Sequence, residues 1–227
     1  MNGYGRGFFG MPPVVKNIIM LNILMFVVYL IGAGGFGIDL NRVLGLYFPK
    51  SEMFRPYQLV THMFMHANFM HIFFNMYALF IFGQVLENVW GPKRFFIFYF
   101  VCGLGAALTH ETAIYFQYLK LMNIVPPEQL QGVLESQILY IPTVGASGAI
   151  FGVLLGFGIL FPNTQLMLLF PPIPIKAKWF VLIYGGIEFF LAIWQPGSKV
   201  AHTAHLGGML FAYILIKYWQ KTTKTLY

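Results

Sequence analysis

Long apolar runs recur along the chain, separated by short stretches rich in Gly, Pro, Asn and charged residues. An apolar run of about 20 residues can cross a bilayer as a helix, which satisfies its own backbone polar groups. The pattern therefore predicts an all-α polytopic membrane protein with six spans. The predicted spans are Val14–Ala33, Pro56–Asn88, Phe95–Ile114, Gly145–Phe161, Trp179–Trp194 and Ala201–Trp219.

The spacing of these runs predicts one membrane domain, residues 14–220. A short flexible segment (1–13) would precede it and a tail (221–227) would follow it. The segment 115–142, between the third and fourth spans, is unusually long. Its spaced aliphatic residues predict one or two amphipathic helices at the membrane surface. These residues are Leu119, Ile124, Leu130, Leu134 and Ile138.

Composition supports a membrane protein, since 58% of the residues are hydrophobic and only 9% are charged. Soluble domains carry roughly 25% charged residues. The net charge of +7 does not indicate nucleic acid, because the sequence has no basic patch with interleaved aromatic residues. If the N-terminus is cytoplasmic, nine Lys and Arg residues lie inside and five outside. The positive-inside rule therefore favours two cytoplasmic termini, and the second, fourth and sixth spans begin near the outer face.

Polar residues gather at the beginnings of these three spans. Ionisable groups at membrane depth are costly and usually face a bundle interior or a water-filled cavity. In the second span, His71 and Asn75 are four residues apart and are expected to share a helix face, as are His62 and His66. Ser147 opens the fourth span and His205 lies near the start of the sixth.

Each of these residues also has an ordinary interpretation. A lone intramembrane Ser usually packs or hydrogen-bonds between helices, and a lone His near a span end is often interfacial. His62 and His66 could form a metal pair, but no Cys lies near them and no HExxH motif is present. We therefore expect neither a metal nor a cofactor.

Small residues predict that the fourth and sixth spans touch. The fourth carries Gly148, Gly152 and Gly156 at four-residue spacing, and the sixth carries Gly208 and Ala212. Such faces let helix backbones approach closely. The contact would bring the Ser and His at the starts of these helices together.

An imidazole close to Ser147 would make its hydroxyl a nucleophile and later protonate a leaving amine. Free N–H groups at the helix start could stabilise the oxyanion, with His71 and Asn75 as further donors. Gly145 would let the backbone bend towards the substrate. Glu188 lies mid-span and is expected to be too deep to orient His205. A Ser147–His205 dyad is therefore predicted.

The motifs around these residues resemble those of the rhomboid intramembrane serine proteases. The matching motifs, in chain order, are Arg55-Pro56-Tyr57-Gln58-Leu59-Val60-Thr61, His66-x4-His71-x3-Asn75, Gly83-x3-Glu87-x3-Gly91, Gly145-Ala146-Ser147-Gly148 and Ala204-His205-Leu206-Gly207-Gly208. The resemblance runs from about Arg55 to Ala212. Two features depart from it: Phe54 replaces a common Trp, and the segment 115–142 is long.

The resemblance implies a six-helix rhomboid core that cleaves transmembrane protein substrates near their outer ends. It implies that Ser147 is the nucleophile and His205 the base, and that His71, Asn75 and the Ser147 backbone N–H form the oxyanion hole. The supporting roles it implies are loop support for His66, an aromatic ring against the catalytic imidazole for Phe151, and water binding for His62.

The layout suits a bacterial inner membrane, with the active site opening to the outer side. Two alternatives stay open. One is a catalytically inactive rhomboid-like protein that binds membrane helices. The other is a transporter or channel, which would need matched inverted repeats that the sequence does not show.

Overall fold

The computed structural model of the protein describes residues 10–167, 172–195 and 201–222. Within these ranges the chain is mostly helical. The helices are α1 Pro13–Ile31, α2 Leu40–Leu44, α3 Gln58–Thr61, α4 Phe69–Ala78, α5 Gln84–Trp90, α6 Pro92–Ile124, α7 Pro127–Leu134, α8 Ser147–Leu160, α9 Ala177–Trp194 and α10 His202–Thr222. Short 3-10 or π turns occupy Gly32–Phe36, His62–Phe64, Leu79–Gly83 and Glu135–Leu139. The predicted terminal segments 1–13 and 221–227 fall largely outside the described residues.

The first N–H groups of helix α1 are capped by the buried carboxylate of Glu87. Pro13 occupies its first turn, where a missing N–H is tolerated. The backbone N–H groups of Val14 and Val15 donate to the two oxygens of Glu87, at 2.9 and 2.7 Å. Because Glu87 belongs to α5, this cap ties the start of the first span to the end of the second.

The second span begins later than the sequence predicted. Residues 56–68 do not form a continuous helix: α3 ends at Thr61, a 3-10 turn follows, and Met65 is extended. Helix α4 then starts at Phe69, where the Asn68 side chain accepts a hydrogen bond from the His71 N–H at 2.9 Å. A π turn joins α4 to α5. The prediction of a helix from Pro56 was wrong, and with it the shared helix face of His62 and His66.

The third span is longer than predicted. Helix α6 contains 33 residues, and at 1.5 Å per residue it is roughly 50 Å long, whereas a bilayer core is about 30 Å thick. It takes up the first part of the segment 115–142. The remainder contains one short helix, α7, whose Leu134 packs with Phe48, Leu121 and Ile138 in a small separate core.

Four helical segments among the described residues are long and apolar enough to cross a membrane. They are Pro13–Phe36, Phe69–Trp90, Pro92–Ile124 and Ala177–Trp194. Helix α8 is apolar but shorter, and it is buried on nearly all sides by protein. The chain is thus a polytopic helical membrane protein. The six-span count, which needs α8 and α10 as well, remains a prediction.

Two short paired strands that the apolar pattern did not predict lie between α8 and α9 in the sequence. Strands β1 Gln165–Met167 and β2 Pro174–Lys176 pair antiparallel, with Leu166 opposite Ile175. The Thr164 carbonyl accepts a hydrogen bond from the Ala177 N–H at 2.8 Å, at the start of α9. This bond and the strand pairing therefore fix where α9 begins.

Glycine positions let α8 touch α10 and α6 at backbone distance. A Cβ at Gly208 would collide with the backbone of Gly148, and one at Gly152 would lie 2.5 Å from the sulfur of Cys102 and 3.0 Å from the Gly208 carbonyl oxygen. The predicted contact between the small-residue faces of these two helices is confirmed. It fixes the starts of α8 and α10 relative to each other.

Candidate active site

Ser147 is the first residue of α8 and is held by an unusual turn before it. Gly145 has φ +133°, a value that L side chains rarely adopt. Its N–H donates to the His62 carbonyl at 2.9 Å. Two residues earlier, Thr143 exchanges backbone hydrogen bonds with Leu46 at 2.9 and 2.8 Å. The turn is therefore anchored to the loop that follows α1 and to the segment before α4.

The structure brings His205 onto Ser147. His205 lies in the first turn of α10, and its Nε2 is 2.8 Å from the Ser147 Oγ. The imidazole is buried, while the serine is half-buried. A distance of 2.8 Å is that of a hydrogen bond, which lets this nitrogen accept the hydroxyl proton.

An aromatic ring holds the plane of the imidazole. Phe151, one turn after Ser147, stacks on His205 with ring centroids 4.1 Å apart and an interplanar angle of 8°. Its other face stacks on Tyr184 of α9, at 5.4 Å. The imidazole therefore has little freedom to tilt away from the serine.

His71 is the side chain of α4 that reaches the serine turn. A Cβ at Gly145 would lie 2.8 Å from Cε1 and Nε2 of His71, so only glycine leaves room for this ring. The Ala67 N–H donates to Nδ1 of His71 at 3.4 Å, which leaves Nε2 to carry the ring proton on the side of the serine turn. Asn75 lies one turn further along, and its amide donates to the His71 carbonyl at 2.8 Å.

His66 and His62 lie before α4, outside that span, and their backbone carbonyls accept hydrogen bonds from Asn41 and Gly145. The His66 carbonyl accepts a hydrogen bond from the side chain of Asn41 in α2 at 3.4 Å. The His66 ring contacts His71 edge-on, with ring centroids 4.9 Å apart. Burial and then the neighbouring His71 lower the pKa of His66 to about 3. Burial lowers the pKa of His62 to about 4. Both imidazoles are therefore neutral near pH 7.

A small cavity opens behind the serine. It has a volume of about 20 Å³, room for about one water molecule. Its polar lining comes from His62, His110, Thr143 and Ser147. His110 of α6 links its ring nitrogens to the hydroxyls of Thr203 at 2.7 Å and Thr143 at 3.0 Å. The sequence did not single out His110, because one His inside a long apolar run gives no sign of the helices that face it.

The expectation that Glu188 lies too deep to reach His205 was wrong. Glu188 Oε2 is 2.9 Å from His205 Nδ1, on the side of the imidazole opposite the serine. The same oxygen accepts a hydrogen bond from His202 Nδ1 at 2.7 Å. His202 was not among the residues predicted to belong to the site. Its signal was the three-residue spacing from His205, which places both rings on one face of α10.

Comparisons with known proteins identify a family to which the chain is related. The family model of the Rhomboid domain matches residues 53–221. The chain is 27% identical over 166 residues to rhomboid protein 1, mitochondrial, of Saccharomyces cerevisiae, covering 73% of this chain and 42% of the yeast protein. It is 29% identical over 163 residues to the rhomboid protease AarA of Providencia stuartii, covering 68% and 54%. It is 27% identical over 210 residues to the putative rhomboid protease YdcA of Bacillus subtilis, covering 92% and 89%.

The helical bundle with its part-buried Ser–His contact describes a polytopic membrane protein with a candidate serine active site. Since the family model covers most of the chain, the protein belongs to the rhomboid family. The chain spans about half the length of the yeast and Providencia relatives and most of the length of the Bacillus protein. The family is generally one of intramembrane serine proteases.

Proposed function

We propose that this protein is an intramembrane serine endopeptidase that uses Ser147 and His205. The observation that carries the proposal is the 2.8 Å contact between Ser147 Oγ and His205 Nε2. The names of two relatives, a rhomboid protease and a putative rhomboid protease, support it. A serine with only a structural role would not need a hydrogen bond to an imidazole that is itself held by a stacked ring. Nor would it need to line a cavity that has room for a water molecule.

The reaction follows the general chemistry of a serine with an adjacent base. Oγ attacks the scissile carbonyl carbon as His205 Nε2 takes the hydroxyl proton, and the carbonyl π electrons move onto the oxygen. The intermediate then collapses: the C–N bond breaks, and the leaving amine takes the proton from Nε2. Water then attacks the acyl carbon as Nε2 takes one of its protons. The C–Oγ bond breaks as that proton passes from Nε2 to Oγ, which releases the carboxylic acid and restores the serine.

The developing oxyanion would sit between α8 and α4. The N–H of Ser147 belongs to the first turn of α8, whose N–H groups have no partner within the helix. His71 Nε2, packed against Gly145, is the nearest side-chain donor to this turn. Asn75 on the same face of α4 is the third proposed donor. Removing one such donor commonly lowers kcat by 10²–10³-fold.

The proposed substrates are transmembrane proteins, cut near the outer membrane face. The excess of Lys and Arg on one side favours cytoplasmic termini, so α8 and α10 would begin near the outer face of a bacterial inner membrane. Water could enter there, and the cavity lined by His62 and His110 could supply it for hydrolysis.

Cleavage in proteoliposomes tests the proposal. Wild-type protein should cut a single-span reporter, whereas Ser147→Ala and His205→Ala should lower cleavage by more than about 10³-fold and still purify as folded protein. Ser136→Ala is the matched control, because within the described part of the chain the hydroxyl of this exposed serine bonds only to the Val133 carbonyl of its own segment. Wild-type cleavage by either active-site variant would overturn the proposal. A folded wild-type protein that cuts no reporter would favour the inactive, helix-binding alternative.

A further inference from the structure

A buried carboxylate joins α9 to the two histidines of α10. The side chains of Glu188, His202 and His205 are only 10%, 7% and 9% exposed. One oxygen, Glu188 Oε2, is 2.7 Å from Nδ1 of His202 and 2.9 Å from Nδ1 of His205. A buried carboxylate is stable only where donors surround it, so both rings are expected to direct an N–H towards this oxygen.

The consequence for His205 is chemical. A neutral imidazole carries one proton, and an acceptor at Nδ1 favours the tautomer with the proton there. Nε2 then keeps its lone pair, on the side where Ser147 Oγ lies 2.8 Å away. Once Nε2 has taken the serine proton, the carboxylate faces a positively charged ring.

We propose that Glu188 is a positioning residue of the protease, and that His202 holds it in place. Glu188 sets the tautomer of His205 and stabilises its protonated form. The proposal rests on the proposed protease function and adds a third and a fourth member to the Ser147–His205 pair.

The two histidines contribute differently. The His202 contact has the direction of a formed hydrogen bond, whereas the His205 contact is short but not aligned as one. His202 therefore anchors the carboxylate. A small rotation of the His205 ring, as on protonation or substrate binding, would complete the second bond.

The three side chains could also be considered as a cation site, because their ligand atoms lie within 4.8 Å of one another. Ligands on one tetrahedral zinc lie about 3.4 Å apart when each bond is about 2.1 Å. The separations of 2.7 and 2.9 Å from Oε2 are those of hydrogen bonds. In addition, Nε2 of His205 is already engaged by Ser147. The geometry fits a proton-directing group better than a metal.

Few other charges compete at His205. Within the described ranges, the other titratable groups that interact electrostatically with His205 or Glu188 are His71 of α4, His110 of α6 and Tyr184 of α9. Among the described residues, Glu188 is the one whose carboxylate contacts the His205 imidazole. A change of pH response on its removal is therefore attributable to it.

Glu188→Gln is the sharpest test, since it keeps the shape and one acceptor oxygen and removes the charge. We expect kcat to fall at least about tenfold, with an upper limit near the 10⁴-fold effect of the equivalent change in serine–histidine–aspartate enzymes. KM should stay within about twofold. The pH of half-maximal activity on the acid side should move lower, because protonated His205 loses its counter-ion.

Glu111→Gln is the matched control. Glu111 lies on α6, and within the described part of the chain its carboxylate oxygens have no hydrogen-bond partner. Its replacement removes a largely buried carboxylate without touching His205, so kcat and the pH profile should match wild type. An equal fall in both variants, or wild-type kinetics and pH profile in Glu188→Gln, would overturn the inference.

Two variants of His202 test the inference independently. They remain informative if Glu188→Gln does not fold. His202→Asn keeps an N–H donor close to the position of Nδ1 and should retain most activity, whereas His202→Ala should lose about tenfold. Equal activity of these two would contradict the anchoring role.

The rate of Ser147 labelling by a fluorophosphonate should follow kcat across the series. Loss of cleavage and labelling in the wild type would instead count against the proposed function itself.

Discussion

The contact between the backbones of α8 and α10 predicts the effect of a single added methyl group. A Cβ at Gly208 would lie 2.7 Å from the carbonyl carbon of Gly148 and closer still to its oxygen. Ordinary carbon contacts are about 3.5 Å, so α8 and α10 would have to separate by roughly 0.8 Å or more. Overpacking of this kind costs typically 1–3 kcal/mol.

The same separation would act on the active site. Gly208 follows His205 by one helical turn, and Gly148 follows Ser147 directly. A misplacement of about 1 Å can lower catalysis about 10²-fold. Gly208→Ala should therefore lower reporter cleavage by about that factor, and should lower the unfolding midpoint in detergent.

Gly186→Ala is the control for this experiment. Gly186 lies inside α9, and no described atom lies within 4 Å of its added Cβ, so the intrinsic helix preference of Ala makes this change neutral or slightly stabilising. Cleavage and unfolding midpoints of the two variants should be measured side by side. Wild-type behaviour of Gly208→Ala would refute the close contact of α8 with α10.

Three further predictions concern the packing around the site. Replacing Glu87 with Ala removes two charge-assisted hydrogen bonds from the start of α1 and should cost about 2–4 kcal/mol of unfolding free energy; an unchanged urea midpoint would contradict the cap. Phe151→Leu removes the stacked ring from His205 and should lower kcat about two- to tenfold, whereas Phe151→Tyr should retain it; equal kinetics would count against the stacking role. The pKa of His66 is lowered by burial to about 3, so the unfolded chain binds more protons between about pH 6.5 and pH 3. Stability should therefore fall as the pH drops through this window, and His66→Gln should flatten the curve; an equally steep curve in the variant would be evidence against it.

Most of the membrane helices could be predicted from the apolar runs, because a helix in lipid must be long and hydrophobic whatever its neighbours are. They failed between Pro56 and Asn68, where the residues are as apolar as those of a helix. The break there depends on the Asn68 cap and on the His62 carbonyl, which binds the N–H of Gly145. The cap is local and the bond to Gly145 is tertiary, and neither contact changes the hydrophobicity of the segment.

In the site, too, some residues could be predicted from the sequence and others depend on how the helices pack. Ser147 and His205 could be paired from the sequence because small residues beside both predicted that their helices touch. Glu188 could not be placed, because its depth relative to His205 depends on where α10 begins and how α9 and α10 tilt. His202 and His110 likewise gain partners only when the helices meet.

Covalent labelling of the folded wild-type protein in detergent by a fluorophosphonate tests the central claim most directly. The adduct should be located by mass spectrometry and compared with those of Ser147→Ala and His205→Ala. We predict a single adduct on Ser147, absent from Ser147→Ala and formed at least about 10³-fold more slowly in His205→Ala. An unlabelled wild-type protein, or an adduct on another residue, would contradict the assignment of Ser147 and His205 as the catalytic pair.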